Sequence, residues 1–169
     1  MGVSTESGVL RFRPDKGNPG AGQFISKQDR QSHEDVQMHV VTLDEFAVAR
    51  GWFESRPHIA ILKIDVERHE AAVVQGATRL LQSGMVQNIF TEVGTDGDRS
   101  ENVAALQTFV DAGYYLAGQG NFRGPSEPSL WPQHEVSGEV IMKHLETLGK
   151  NHPYLNLWWS LDESKVQDQ

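Results

Sequence analysis

The chain has no cysteine among its 169 residues. That absence excludes disulfide bonds, thiolate metal ligands and a cysteine nucleophile, but it does not indicate a cellular compartment. Positive charge is also scarce, since 15 Lys and Arg accompany 23 Asp and Glu and the formal net charge is -8. Because phosphate binding needs a clustered basic surface, we expect no nucleic-acid partner.

Long hydrophobic runs are missing as well. No stretch approaches the roughly 18 apolar residues of a transmembrane helix, and the polar N-terminus does not resemble a signal peptide. We therefore predict no membrane partner and, by default, a cytoplasmic location. The length and the 38% of hydrophobic residues suit a single domain with one ordinary core.

The first third of the chain shows two alternating segments and a polar loop. Residues 8–13 and 36–41 alternate apolar and polar side chains, which predicts two half-exposed strands. Residues 14–35 are rich in Gly, Pro and polar side chains, and we predict a loop there. The GNPGAG run at 17–22 lacks the buried strand that precedes a phosphate-binding loop, so we interpret it as flexible chain.

The middle of the chain alternates between strand and helix periods. We predict strands at 58–66, at 86–93 and from 114, and helices at 67–81 and 100–112, with Gly84 and Gly113 as stops. The segment HIAILKIDV at 58–66 is apolar on both faces, as in a central parallel strand. Upstream, Thr42 and Glu45 have the spacing of a capping box. The alternation predicts an α/β fold with a mostly parallel sheet flanked by helices.

The pattern weakens after residue 117. Residues 118–134 contain three prolines and predict a loop, and residues 139–149 suggest a strand-to-helix segment. Residues 151–169 form an aromatic-rich tail. We expect Trp158 and Trp159 to cover the edge of the core, with a partner surface as the alternative.

Charged side chains gather where the predicted strand 58–66 ends. In an open parallel sheet, ligands bind outside the carboxyl ends of the strands. The residues that reach this rim are Lys63, Asp65 and Glu67 on one side of the strand, His69 and Glu70 in the first turn of the next helix, and Glu92 on the next strand. We predict that they line one crevice, with Asp65, Glu67, His69 and Glu92 as candidate catalytic residues.

Structural roles explain part of this cluster. Acidic side chains at a helix N-terminus are favoured by roughly 0.3–1 kcal/mol each, which accounts for Glu70. Lys63 would neutralise Asp65 or Glu92, because a charge inside a sheet needs a partner. The carboxylates of Asp65, Glu67 and Glu92, joined by His69, would also suit Mg²⁺ or Mn²⁺. We predict no resident metal and keep a metal-dependent enzyme as an alternative.

Three segments carry a family resemblance. TLDEF at 42–46, LKIDVERHEAAVVQGATRLL at 62–81 and IFTEV at 89–93 resemble, in this order and spacing, the FkbM-type family of S-adenosylmethionine-dependent methyltransferases. The match is good over 36–113 and poor at the ends. It implies a class I methyltransferase fold with a Rossmann-like sheet, S-adenosylmethionine as cofactor, and methyl transfer mostly to the hydroxyl of a small molecule or sugar.

Two departures from the family pattern stand out. Arg68 replaces a glycine, whose positive φ at the bend would cost a side chain about 1–2 kcal/mol. Either the turn uses ordinary angles, or a large cation reshapes the crevice. The glycine-rich loop that holds the cofactor after the family's first strand is also missing. We therefore expect the carboxyl-terminal part of a methyltransferase, with weak or absent cofactor binding.

The resemblance leads to a mechanistic expectation and a rival. Because the sulfonium already makes the methyl group electrophilic, the protein must position the acceptor and remove its proton. We expect Asp65 to contact the donor region or to act as the base, followed by His69 and Glu67, while Glu92 orients the acceptor or pairs with Lys63. The rival is a non-catalytic remnant that acts as a binding module.

Overall fold

The computed structural model describes residues 1–18, 21–25, 30–94, 98–119, 127–128, 137–148 and 154–162. These residues form an α/β arrangement of two sheets and several helices. The strands are β1 (Gly2–Val3), β2 (Gly8–Arg13), β3 (Gln23–Ile25), β4 (Val36–Val41), β5 (Ile59–Ile64), β6 (Val86–Gly94), β7 (Tyr114–Gln119), β8 (Glu127–Pro128) and β9 (Tyr154–Leu161). The helices are α1 (Leu43–Ala49), α2 (Trp52–Ser55), α3 (Glu70–Gln75), α4 (Thr78–Gln82), α5 (Arg99–Asp111) and α6 (Gly138–Leu148).

A four-stranded sheet gathers the N-terminal strands in the order β1-β4-β2-β3. β1 runs parallel to β4, and the other two pairs are antiparallel. The strands predicted at 8–13 and 36–41 are confirmed. The loop predicted at 14–35 is wrong at Gln23–Ile25, because β3 pairs there with β2. Pro19 and Gly20 of the GNPGAG run lie outside the described residues.

The five-stranded sheet has the order β5-β6-β9-β7-β8. β5 and β6 are parallel, whereas β9 is antiparallel to both of its neighbours, β6 and β7. Consequently β5, β6 and β7 run in one direction, although β7 does not pair with β6. The α/β class is confirmed, but the mostly parallel sheet is wrong, because one reversed strand in the middle makes both of its pairings antiparallel.

β5 lies at the edge of this sheet as far as the described residues extend. Its Ile61 side chain is 59% exposed, while Ile64 on the opposite face is buried. The prediction of a central strand buried on both faces is therefore wrong. The apolar run reflects one face in the core and one face that no described helix covers.

The helices pack on a single face of the five-stranded sheet. Ile64, Ile89 and Leu157 on that face are buried together with α3 and α6. The Trp159 ring lies in the centre of this core, 4.8 Å from the ring of Phe109 on α5. On the open face, Trp158 stacks on Phe90 with the ring centroids 5.7 Å apart.

The C-terminal segments are more regular than the sequence indicated. Residues 154–161 of the aromatic tail form the strand β9, while 151–153 and 163–169 lie outside the described residues. Trp158 and Trp159 therefore point to opposite faces and do not both cover the core edge. The predicted strand-to-helix segment is helical from Gly138 to Leu148. Most of the loop predicted at 118–134 lies outside the described residues. The described part of it is strand, because it contains the last two residues of β7 and all of β8.

One helix predicted at 67–81 forms as two short helices, α3 and α4. The chain bends at Gly76, where an added Cβ atom would lie only 2.1 Å from the carbonyl oxygen of Ser4. This close approach brings the N-terminal sheet against α3. The predicted stops are confirmed, because Gly84 and Gly113 have φ values of +71° and +88°.

The TLDE motif serves two helices. Thr42 accepts a hydrogen bond from the Glu45 amide at 2.9 Å, and the Glu45 carboxylate accepts one from the Thr42 amide, which confirms the capping box of α1. The carboxylate of Asp44 accepts from the amides of Arg79 and Leu80 at 2.9 and 2.7 Å. The N-cap residue of α4 makes no side-chain hydrogen bond to the helix, and Asp44 thus caps the helix in its place.

Candidate functional site

The paired ends of β5 and β6 bring acidic side chains to one edge of the sheet. Ile64 is in register with Thr91, so the next residues, Asp65 and Glu92, follow side by side. Carboxylate oxygens of Asp65, Glu70 and Glu92 lie within 4.8 Å of one another. The predicted convergence of Asp65 and Glu92 is therefore confirmed. We call Asp65, Glu70 and Glu92 the rim carboxylates.

Lys63 provides a cation on the exposed side of this cluster. Its Nζ atom lies 2.7 Å from Oδ2 of Asp65, and this hydrogen bond is the main reason that the pKa of Lys63 is raised. The neighbouring charge of Glu92 acts in the same direction. The expectation that Lys63 neutralises a carboxylate of the rim is thus confirmed for Asp65.

Glu70 is the rim carboxylate that the sequence placed in the crevice but not among the candidate catalytic residues. It is only 9% exposed, and its Oε1 atom accepts a hydrogen bond from the Val66 amide at 3.0 Å. Burial raises the pKa of Glu70, and the charges of Asp65 and Glu67 add to that rise. The sequence signal was present, because a glutamate in a first helical turn can reach back to an amide of the preceding residues.

Glu92 is half-buried and less readily ionised than an isolated glutamate. Burial is the main cause of its raised pKa, followed by the charges of Glu70, Asp65 and Glu67. Lys63 opposes this rise. A carboxylate with a raised pKa is a stronger proton acceptor at neutral pH than one with an ordinary pKa.

The chain turns sharply after β5 and does not extend through Glu67. Glu67 and Arg68 have φ values of +49° and +71°, a left-handed conformation that is costly for residues with a side chain. The predicted alternation of Lys63, Asp65 and Glu67 on one side of a strand therefore fails at Glu67. The alternative that the turn uses ordinary angles is also wrong.

Arg68 crosses the rim to β9. Its Nε atom donates to the hydroxyl of Tyr154 at 2.8 Å, and its guanidinium carbon lies 5.7 Å from the centre of that ring. Tyr154 pairs with Gly94 at the end of β6, so this contact spans the edge where the rim carboxylates lie. No sequence feature pointed to Tyr154, because its place depends on the pairing of β9.

His69 contacts the N-terminal sheet. Its Nε2 atom lies 3.0 Å from Oγ of Ser4, and its ring centroid lies 4.6 Å from that of Phe24. Burial lowers the pKa of His69, which favours the neutral ring. His69 is not one of the three residues whose ligand atoms lie within 4.8 Å of one another, and a catalytic role for it stays a prediction.

The rim carboxylates present three oxygen ligands to one point. Carboxylate oxygens are the ligands that Mg²⁺ and Mn²⁺ prefer, so this group could hold a divalent cation. The sequence predicted Glu67 and His69 as metal ligands beside Asp65 and Glu92. In the structure the third ligand of this group is Glu70. Separately, none of the helices in the described ranges is long and apolar enough to cross a membrane.

Comparison with known families gives one match. The family model of the Methyltransferase FkbM domain matches residues 5–116, about two thirds of the chain, including β5, β6 and all three rim carboxylates. Comparisons with curated proteins and with solved structures give no significant match. The extent of the family match confirms the resemblance that the sequence motifs indicated. The chain therefore belongs to the FkbM methyltransferase domain family.

Proposed function

We propose that the chain acts in S-adenosylmethionine-dependent methyl transfer to a hydroxyl group of a small molecule or sugar. The observation that carries this proposal is the convergence of Asp65 and Glu92 at the carboxyl ends of two parallel strands, within a chain of a methyltransferase family. Ligands of open α/β sheets bind at that edge.

The strand directions support a class I methyltransferase fold as part of the proposal. β5, β6 and β7 run in one direction and are linked through α3, α4 and α5, as in one half of a doubly wound sheet. The reversed strand β9 is the departure from that plan. The class I assignment therefore rests on the three strands of common direction and on the family match.

The proposed roles follow from position. Bound S-adenosylmethionine would supply the electrophilic methyl group. Asp65 is the candidate base, which accepts the hydroxyl proton of the acceptor as the oxygen attacks. Glu92, half-buried beside it, would orient that hydroxyl by accepting a hydrogen bond. Glu67 and His69 are the next candidates, Glu67 because it lies in the same turn and His69 because it directly precedes α3.

The test is Asp65→Asn, which keeps the shape of the side chain and removes the base. Transfer of a labelled methyl group from S-adenosylmethionine to a panel of sugar and small-molecule alcohols should fall by about 100-fold or more, the usual contribution of a general base. Asp111→Asn, at the opposite end of α5, is the matched control and should keep full activity. Wild-type rates for Asp65→Asn would remove Asp65 from the mechanism.

Cofactor binding needs its own measurement. We expect calorimetry to show weak binding of S-adenosylmethionine, because the sequence contains no glycine loop for close backbone approach to the cofactor. Transfer should accordingly need high cofactor concentrations. A chain that neither binds the cofactor nor transfers methyl groups to any tested alcohol would contradict the proposal.

A metal-dependent reaction is the second candidate, and the spacing of the rim carboxylates favours it. A divalent cation held by Asp65, Glu70 and Glu92 would polarise an acceptor hydroxyl and lower its pKa. The discriminating measurement is transfer with and without EDTA, followed by Mg²⁺ or Mn²⁺. Rates that are indifferent to EDTA and to added metal would exclude this candidate.

A binding module without catalysis is favoured by the open face of the five-stranded sheet. Ile61 is 59% exposed on this face. Trp158 is 37% exposed there and stacks on Phe90. Exposed apolar side chains grouped on one face are typical of interaction surfaces. The absence of transfer together with a concentration-dependent molecular mass would support this role over the enzymatic one.

A further inference from the structure

The turn between β5 and α3 is strained at two consecutive residues. Glu67 and Arg68 both have positive φ, and neither is a glycine. Such a conformation persists only where the surrounding contacts hold it, and it is common at functional sites. Contacts of the neighbouring residues must therefore hold this turn.

Among the contacts that residues around this turn make, two differ in burial. On the exposed side, Arg68 donates to Tyr154. On the buried side, the Glu70 carboxylate accepts from the Val66 amide at 3.0 Å while the Glu70 residue is 9% exposed. A buried hydrogen bond is costly to lose, because the donor left without its partner is shielded from water. Of the two contacts, that of Glu70 is thus the stronger restraint on the turn.

The Glu70 contact acts on the peptide that joins Asp65 to Val66. Because a peptide unit is planar, an amide held in place at Val66 also fixes the carbonyl of Asp65 and the backbone angle ψ of that residue. The rotamers that the Asp65 side chain can adopt depend on the backbone angles of that residue. The rotamer decides whether the Asp65 carboxylate stays within 4.8 Å of the oxygens of Glu70 and Glu92.

We propose that Glu70 is a positioning residue, which holds the Asp65–Val66 peptide through its hydrogen bond to the Val66 amide and so aims the Asp65 carboxylate at the rim. This inference rests on the proposed methyl transfer for its consequence, but not for the contact itself. The side-chain oxygen is what the role requires, and the negative charge is secondary.

Two variants separate the effect of the length of the Glu70 side chain from the effect of its charge. Glu70→Gln keeps an oxygen at the same distance and loses the charge, whereas Glu70→Asp keeps the charge but is one methylene too short to reach Val66. Glu101→Gln, an exposed first-turn glutamate of α5, is the matched control. Amide hydrogen exchange of Val66, followed by NMR, reports the contact, and the kinetics of methyl transfer from S-adenosylmethionine report its consequence.

In Glu70→Asp we expect Val66 to exchange at least about tenfold faster than in the wild type, as for a local opening that a lost hydrogen bond permits. The kcat of transfer should fall by about tenfold with the KM for S-adenosylmethionine within about twofold, because the acceptor proton and not the cofactor is affected. Glu70→Gln should exchange like the wild type at Val66 and should keep more transfer than Glu70→Asp, whereas Glu101→Gln should stay near the wild type in both measurements.

The reverse order would overturn the inference. If Glu70→Gln loses transfer while Glu70→Asp retains it, the charge acts directly and Glu70 does not work through Val66. Unchanged exchange of Val66 in Glu70→Asp would also overturn it. If the wild type transfers no methyl group, the proposed function fails, and the exchange measurement still decides whether Glu70 holds the turn.

Discussion

At the scale of single residues, the turn after β5 departs most from ordinary geometry. The sequence located it well, because a run of charges ends the apolar segment and Arg68 stands where a glycine is expected. The positive φ of Arg68 was therefore foreseeable, while that of Glu67 was not. Glu70 was placed at the rim but given no functional role, because the helix dipole was a sufficient reason for an acid at that position.

The strain at Arg68 can be measured with a pair of variants. Arg68→Gly and Arg68→Ala both lose the contacts with Tyr154, but only glycine relaxes at a φ of +71°. We expect Arg68→Gly to be more stable than Arg68→Ala by about 1 kcal/mol in urea unfolding. Equal stabilities would mean that residue 68 is not left-handed in solution.

The buried carboxyl of Glu70 should make stability depend on pH. Its pKa is raised by burial, so the folded chain holds this proton more tightly than the unfolded chain does. The stabilisation is fully present below the unfolded pKa of about 4.3 and is lost as pH rises through the higher folded pKa.

Glu70→Gln stays neutral at every pH, so it should lose less stability than the wild type between about pH 4 and about pH 7. The pKa of Glu92 is raised as well, so part of the pH dependence of stability should remain in this variant. Urea unfolding at several pH values gives the comparison, and Glu101→Gln should leave the wild-type slope intact. A variant slope equal to that of the wild type would show that Glu70 titrates normally.

At the scale of elements, the TLDE motif links α1 to α4. Thr42 caps its own helix, whereas Asp44 caps a helix that begins more than thirty residues later. The sequence predicted the first function from spacing alone. The second function depends on how α1 and α4 pack, which no local pattern encodes.

These two caps should differ in strength. Thr42→Ala removes one neutral cap and should cost about 1 kcal/mol of unfolding free energy. Asp44→Ala removes a charged acceptor from two amides and should cost about 2 kcal/mol. Chemical denaturation of both variants checks the order, and a larger loss for Thr42→Ala would contradict the role of Asp44.

Two strands that the sequence missed show no clear period of two, each for its own reason. Leu155, Leu157, Trp159 and Leu161 alternate inward along β9, but the apolar Trp158 between them obscured the period of two. β3 is only three residues long, too short to show any period. By contrast, β6 and α5 are the longest strand and helix of the described residues, and both were predicted within one or two residues.

At the scale of the whole molecule, the contact between Gly76 and Ser4 joins the N-terminal sheet to the helices. The Asp44 amide also donates to the carbonyl of Gly76 at 3.0 Å, which fixes the same bend from the side of α1. Sheet order and inter-sheet contacts of this kind join residues far apart in the chain. They were therefore beyond the reach of periodicity and local propensity.

A methyl group at Gly76 should disturb this junction. Because the new Cβ atom would lie 2.1 Å from a backbone oxygen, we expect Gly76→Ala to cost about 1–3 kcal/mol, as for overpacking. Gly8→Ala, in β2, meets no atom within 4 Å and should change stability by less than about 0.5 kcal/mol. Similar thermal midpoints for the two variants would show that the sheets are not held at Gly76.

The reversed strand β9 has a consequence for biosynthesis. β9 lies between β6 and β7, yet residues 154–161 leave the ribosome long after either neighbour. Until then the pair β5–β6 and the pair β7–β8 are not joined by a strand between them. The edges of β6 and β7 therefore stay open to pairing with other chains. Nascent chains halted before Tyr154 should therefore depend on chaperones, whereas release of β9 lets the sheet close in a single step.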